Sequence, residues 1–438
     1  MADSSSNILV RFAPMIYGPT MLFALGEGAV IPLFPVIAAR LGADLATAAL
    51  VASALVVGQL FGNIPSGWAV ARIGERLTMT IAGFAAIIGV VGMVFSRQIG
   101  MLAGSVFIVG FCASAFGLAR HSFMTTRVPL AFRARALALL GGSWRLGMFT
   151  GPFVAAAILL ITGDEHMVMW FFGICLLATV LLVFFGRDPE ESLVAEEAAA
   201  RAGMDAGAPP AFELDADDTL VEDTGEAVTG SIPTLSRPGV FATMWANRRV
   251  LSRVGVAAAT LSSVRAARTV LLPLWGVSLG LDAQFIVLIV GIAGAIDFAL
   301  FYVSGQIMDR FGRLWAVMPS MIVMGLGFLL LGFTHDLDSS TVWFIAVAVV
   351  LALGNGLSSG ILLTVGADLA PQDNPAPFLG SWRTLTDAGG AVTPLMVAGV
   401  IAIASISWAT AVVGVIGLLG AGMFARWLPR FMPHKPRE

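Results

Sequence analysis

Polar residues are rare enough along this chain to act as punctuation. Long apolar stretches run at roughly 12–38, 46–70, 78–96, 100–123, 136–161, 167–186, 251–276, 284–306, 315–333, 341–365, 378–402 and 406–427. A helix needs about 20 apolar residues to cross a bilayer core, so the pattern predicts twelve spans. Helix is the form to expect, because in lipid only a helix satisfies the backbone within one segment. The long departure is 187–237, where Glu190, Glu191, Glu196, Glu197, Asp215, Asp217, Asp218, Glu222, Asp223 and Glu226 lie among Ala, Gly and Pro. Low hydrophobicity with high acidity predicts a solvated, disordered tether, with a short helix at 190–202. A regulatory or partner-binding role is its alternative reading. The chain therefore divides into an N-terminal bundle at 1–186, a linker at 187–247 and a C-terminal bundle at 248–438.

The two groups of spans repeat each other. Ser66–Arg76 and Val303–Arg313 are charged, glycine-bearing turns between apolar runs, and Gly67 lies 238 positions before Gly305. The same offset joins Pro35 to Pro273, Leu41 to Leu279, Gly42 to Gly280, Asp44 to Asp282, Gly151 to Gly389, and Gly142–Arg145 to Gly380–Arg383. One ungapped register over so long a stretch marks two related halves of six spans each.

Composition agrees. The chain is 58% hydrophobic and 12% charged, with mean hydropathy +0.89, whereas soluble domains carry about 25% charged residues. This is an all-α polytopic membrane protein. A net charge of -3 gives no reason to expect a nucleic-acid partner. Cys112 and Cys175 fall inside apolar runs and read as small buried hydrophobes, so neither a disulfide nor a metal site is expected, and no cofactor motif is present. Lys435 is the single lysine against 24 arginines, which points to a GC-rich, bacterial genome. Residues 1–6 lack the pattern of a cleavable signal peptide. Arg72, Arg76, Arg127, Arg133, Arg135, Arg310, Arg313, Arg426 and Arg430 all follow even-numbered spans. The positive-inside rule then places both termini in the cytoplasm and the protein in a bacterial inner (plasma) membrane.

Two six-span halves joined by a long loop resemble the major facilitator superfamily. Its loop signature, Gly-x-Leu-Ala-Asp-Arg-x-Gly-Arg-Arg/Lys, is matched by Gly305, Asp309, Arg310, Gly312 and Arg313. The first half matches at Gly67, Arg72, Gly74 and Arg76, but Ala71 replaces the acid and Glu75 a basic residue. Glycines there permit a tight turn and close helix contact. The resemblance implies that Asp309, Arg310 and Arg313 latch near the cytoplasmic end of span 5 when the cavity faces outward, with a weaker latch in the first half. Topology anchoring is the plainer role for these arginines. Leu25–Pro35, with Ile31-Pro32-Leu33-Phe34-Pro35, resembles span 1 of twelve-span drug:proton antiporters. Gly147-Met148-Phe149-Thr150-Gly151-Pro152 resembles the exporter motif of span 5, with Ala155-Ala156 in place of its closing glycines. Gly147 and Gly151 share a helix face that a neighbour can approach, and Pro152 bends the helix. The arginine which that branch carries early in span 4 is absent; Arg120 stands near the cytoplasmic end instead.

Charges inside the membrane cost about 2.5–3.5 kcal/mol each on insertion scales, so those that are present should have a purpose. Glu27 lies roughly fifteen residues into span 1, about 22 Å of helix. Burial there suits it to carry a proton or to attract a cation. Its repeat partner is Arg265 in span 7, and the resemblance, which sets spans 1 and 7 face to face, implies a Glu27–Arg265 contact in one state of the transporter. Asp297, the repeat partner of Gln59, is a second proton-carrier candidate. Arg383 has Asp387 four residues on, close enough to pair. Its repeat partner Arg145 has Phe149 there, and so seeks Glu27 or a substrate anion. Purely structural pairing is the alternative for all of these. His121 is a titratable group or a satisfied interfacial histidine. Trp144, Trp275 and Trp382 are candidate cavity walls or interfacial anchors.

The resemblance implies a proton-coupled secondary transporter, not an enzyme, working as a monomer by alternating access and exporting a small amphipathic molecule or drug. Two alternatives remain: a carrier of a defined metabolite or organic anion bound by Arg145, Arg265 and Arg383, and a lipid flippase or lipid-export partner.

Overall fold

The computed structural model describes residues 16–127, 130–186, 245–371 and 375–432; the expected tether, with its helix at 190–202, lies outside them apart from 245–247. Every element among them is helical. The spans are Gly18–Arg40, Leu45–Ile73, Glu75–Val94, Ile99–Arg127, Leu130–Thr162 and Glu165–Phe185, then Val256–Ser278, Ala283–Arg310, Arg313–Gly332, Ser340–Leu369, Pro375–Ile403 and Ile406–Phe431. Eleven are long and apolar enough to cross a bilayer by composition. The remaining one, span 7 (Val256–Ser278), carries Arg265 and Arg268 and is sheathed by its neighbours. Leu261, Val264, Ala267, Leu271 and Trp275 on it are fully buried. A helix that meets little lipid has less need of a uniformly apolar surface.

Local chemistry sets the turns. Asp44 caps span 2, its Oδ1 accepting the Thr47 amide at 2.8 Å. Asp164 and Ser405 cap spans 6 and 12 in the same manner. Gly74 and Gly312 hold φ of +82° and +96° between spans 2 and 3 and between spans 8 and 9, a backbone region open mainly to glycine. They are repeat partners, so one sequence period delivers one turn twice.

The packing repeats as well. In the first half span 1 packs on spans 5 and 6, span 2 on span 4, and span 3 on spans 4 and 6. In the second, span 7 packs on spans 11 and 12, span 8 on span 10, and span 9 on spans 10 and 12. The halves meet where span 5 lies on span 8 and span 2 on span 11, two contacts that the repeat exchanges.

The exporter-like face of span 5 is a close contact with span 1. A Cβ at Gly147 would stand 2.5 Å from the Met21 carbonyl oxygen, and one at Gly151 2.5 Å from that of Leu25. Gly389, the partner of Gly151, presses on the Ala259 carbonyl of span 7. Pro152 meets Gly291 of span 8, in the other half. Gly67 and Gly305 do not provide the close helix contact expected of them. Among the described residues a Cβ at Gly305 meets nothing within 4 Å, and one at Gly67 only Leu118 at 3.8 Å.

Two outcomes follow. Gly151→Val must displace backbone, so it lowers the apparent Tm in detergent, by an overpacking cost of about 1–3 kcal/mol; Gly305→Ala, in open space, leaves it unchanged. Asp44→Ala destabilises more than Asp282→Ala, because Asp282 makes no side-chain cap bond. The Thr47 hydrogen bonds hold the Asp44 carboxyl below its ordinary range. Its contribution is therefore complete above the unfolded-state carboxylate range and lost as pH falls through the lowered folded value. Thermal melts of Asp44→Ala and wild type across acid pH should converge at the low end.

Candidate functional site

Two polar clusters lie inside the bundle, one in each half, and they occupy equivalent places. In the first half Glu27, only 2% exposed, faces Arg120 of span 4, and the two charges act on each other. Their Oε2 and Nη1 atoms are buried without a hydrogen-bond partner. The Arg120 guanidinium lies over the Trp144 ring at 4.4 Å and near Phe116 at 5.9 Å. Phe23 stacks on Phe116 at 4.8 Å and on Trp144 at 6.2 Å, so an aromatic wall encloses the pair.

In the second half, span 10 breaks. Its helix stops at Leu357 and restarts at Ile361, with Gly360 at φ +82°. Such a break frees carbonyls that lipid cannot satisfy. Arg265 of span 7 donates to the Ser358 carbonyl at 2.6 Å and to its hydroxyl at 2.8 Å. Ser304 of span 8 donates to the Ser359 carbonyl at 2.9 Å, and Ser320 of span 9 to the Ser358 hydroxyl at 2.7 Å. Trp382 of span 11 donates to the Leu362 carbonyl at 2.9 Å. Ser358 is the repeat partner of Arg120, as Arg265 is of Glu27. One pairing of positions thus joins an acid to a guanidinium in one half and a guanidinium to a broken helix in the other.

More cations gather at the break. Arg268 forms an ion pair with Asp297 of span 8. Arg145 crosses from span 5 to the Ser359 hydroxyl, with its guanidinium 4.0 Å from the Phe301 ring. Three guanidiniums therefore surround one carboxylate, with Asn355 beside it. Arg265 Nε, Arg268 Nη1 and Asp297 Oδ1 are buried without hydrogen-bond partners. Phe149 stacks on Phe298 at 5.0 Å just beyond, from opposite halves.

The other expected residues fall as follows. Arg383 and Asp387 pair at 3.5 Å, both exposed, and Arg383 lies within electrostatic reach of His121 in the other half. In this state Glu27 faces Arg120, and Arg265 donates to Ser358. Gly26 presses on Phe172 and Gly28 on Met148, so the Glu27 segment is held against its own half. Arg145 likewise meets Ser359, not Glu27. Trp275 is no cavity wall; it is fully buried, edge-on to His335 at 5.3 Å in the turn before span 10. Trp382, 4% exposed, is a support for the restarted helix and not a wall. Trp144 remains half-buried beside Arg120.

Arg76 and Arg313 each hold an element of their own half. Arg313 pairs with Asp368, at the end of span 10, at 3.0 Å and with Asp309 at 3.1 Å; the side chains at the cytoplasmic end of span 5, where the latch is expected, lie outside those described. Two carboxylates of its own half already hold that guanidinium. Arg310 stands 5.6 Å from the Phe311 ring. Arg76 donates to the carbonyls of Val183, Phe184 and Gly186 at the end of span 6. Glu75, in the place of Arg313, accepts from Ser122 of span 4 at 3.1 Å, while Arg72 is exposed. Sequence reasoning missed Arg268, Ser358, Ser359 and Asn355, and misjudged Arg120. The signals were there: Arg268 lies three residues after Arg265, and Ser-Ser-Gly interrupts an apolar run.

Removing the one acid among three cations should cost most. Asp297→Asn is expected to lower the apparent Tm more than Arg268→Gln, on the scale of about 3–5 kcal/mol for breaking a buried pair. The double variant should recover part of the loss, and scanning fluorimetry of the purified proteins checks the order.

Comparison with known proteins agrees with this architecture. A peptide-bound POT family transporter superposes with a TM-score of 0.72 at 12% identity, covering 97% of this chain and 96% of that one. A D-xylose–proton symporter gives 0.68 at 15%, covering 98% and 99%, and a sulfate-bound POT peptide transporter 0.70 at 13%, covering 97% and 94%. At such identities the likeness concerns the fold. The probable metabolite transport protein CsbC of Bacillus subtilis (strain 168) is 28% identical over 137 residues, which are 31% of this chain and 29% of that protein. The profile of the Major Facilitator Superfamily matches residues 19–394. This chain belongs to the Major Facilitator Superfamily, a family of membrane transporters and not enzymes.

Proposed function

We propose that this protein is a proton-coupled secondary transporter of a small organic anion. The observation that carries the reading is the excess of positive charge at the break in span 10. Arg145, Arg265 and Arg268 meet a single acid, Asp297, in a part of the chain where unbalanced charge is costly. A carboxylate or phosphate group of the substrate balances them and fits guanidinium geometry. The ligands come from both halves, Arg145 from the first and Arg265 and Arg268 from the second, as a site served by two rocking bundles requires. Glu27 is the proton carrier in this reading. It is buried beside Arg120, whose charge it balances when ionised.

The chain ends lie on the cytoplasmic face of a bacterial inner membrane, and the protein works as a monomer in the bilayer. The far face is the closed one: there span 7 touches the Ile31–Leu33 and Phe34–Arg40 parts of span 1, and Pro152 meets Gly291. The exporter-like packing of Gly147 and Gly151 on span 1 supports outward movement of the substrate. Amphipathic drug export is the second reading, supported by that same motif and by the Phe149–Phe298 stack between the halves.

The test uses protein in liposomes under an imposed pH gradient, with panels of anionic, neutral and cationic compounds. Anions should evoke proton flux in wild type and fail to do so in Arg265→Gln. Glu27→Gln should retain anion exchange across the membrane and lose accumulation driven by the pH gradient. Flux evoked by cations and untouched by Arg265→Gln would overturn the anion reading in favour of drug export.

A further inference from the structure

A second group of cations lies on the face that carries the chain ends, far from the central cluster. The helix leading into span 7 begins at Arg248–Val250, passes through a π-helical turn at Leu251–Gly255, and packs on the end of span 12. Three arginines converge there on one ring. Arg253 stands 4.3 Å from the centre of Trp427, Arg430 5.2 Å and Arg426 5.5 Å. Beside them Arg248 stands 5.1 Å from the Trp245 ring and donates to the Trp245 carbonyl at 2.9 Å, and Arg249 is exposed next to it. None of the five forms an ion pair among the described residues. Trp427 is half-buried, whereas Trp245 is 72% exposed.

Arginines that serve only to fix topology have no reason to converge, since like charges repel. A tryptophan face attracts guanidiniums, but three around one ring bring like charges together, and none of the three is paired with an acid among the described residues. The place is a helix end at the membrane boundary, where tryptophan prefers to lie and where basic groups meet anionic headgroups. A guanidinium matches a phosphate in two parallel hydrogen bonds. Arg253 lies twelve residues before Arg265, about 18 Å along the helix, so this is not the transport site.

We infer that Arg253, Arg426 and Arg430 around Trp427, flanked by Arg248 and Arg249, bind the headgroup phosphate of an anionic phospholipid at the corner between spans 7 and 12. Lipid seated there bridges the start of one helix to the end of another.

The full chain, purified from liposomes containing phosphatidylglycerol and phosphatidylcholine, tests this by native mass spectrometry of retained lipid. Wild type should keep at least one more phosphatidylglycerol per chain than the Arg253→Gln/Arg426→Gln/Arg430→Gln variant, with phosphatidylcholine retention equal in the two. A brominated phosphatidylglycerol should quench wild-type fluorescence more than that of Trp427→Phe, and brominated phosphatidylcholine should not distinguish them. The three arginines are exposed, and an unchanged melting temperature in phosphatidylcholine alone confirms that the variant folds. Equal phosphatidylglycerol retention by wild type and variant overturns the inference. So does a gain in retained phosphatidylglycerol when the acids of 187–237 are neutralised and the arginines are intact, because the patch would then belong to the linker.

Discussion

A helix can be interrupted inside a bilayer only if something else donates to the carbonyls it frees. Span 10 meets that demand with Arg265 and Ser304, and much else follows from the choice of an arginine. Burying one guanidinium calls for an acid nearby, and Asp297 answers. Asp297 in turn pairs with Arg268, and the acceptors at the break draw Arg145 across from the other half. The cluster is thus a set of mutual obligations that starts from backbone geometry at Ser358–Gly360. Its surplus positive charge gives the centre of the molecule its chemical bias.

Duplication gave the two halves one scaffold but not one chemistry. Spans pack in the same order in each, and Gly151 and Gly389 press on equivalent helices. At the positions of Glu27 and Arg120, however, the second half has Arg265 and Ser358. The first half therefore holds an enclosed acid–base pair behind Phe23, Phe116 and Trp144. The second holds an open-valenced group of cations. A single pair of positions has thus been specialised in two directions.

Most of the scaffold was legible in the sequence. Apolar length predicted the spans, and the 238-residue register predicted the paired turns now seen at Gly74 and Gly312. The Arg383–Asp387 contact was legible because it is local to one helix. Partners on different helices were not. Glu27 was matched to Arg265 by symmetry, yet the close packing of Gly26 and Gly28 holds that part of span 1 against its own half. Arg313 is held by Asp368, which lies on another helix of the same half. Span 7 was recognisable despite Arg265 and Arg268, but the cost of those two charges is met by tertiary partners that no local pattern records.

Span 5 touches both systems. On one face Gly147 and Gly151 leave no room between it and span 1; on another, Arg145, Phe149 and Pro152 engage span 8 and the break in span 10. Side chains that interdigitate loosely can absorb a displacement by changing rotamer, but backbone resting on backbone cannot. Span 5 is in effect a rigid crank. Span 5 thereby links the contact of Arg145 with Ser359 directly to the helix that carries Glu27.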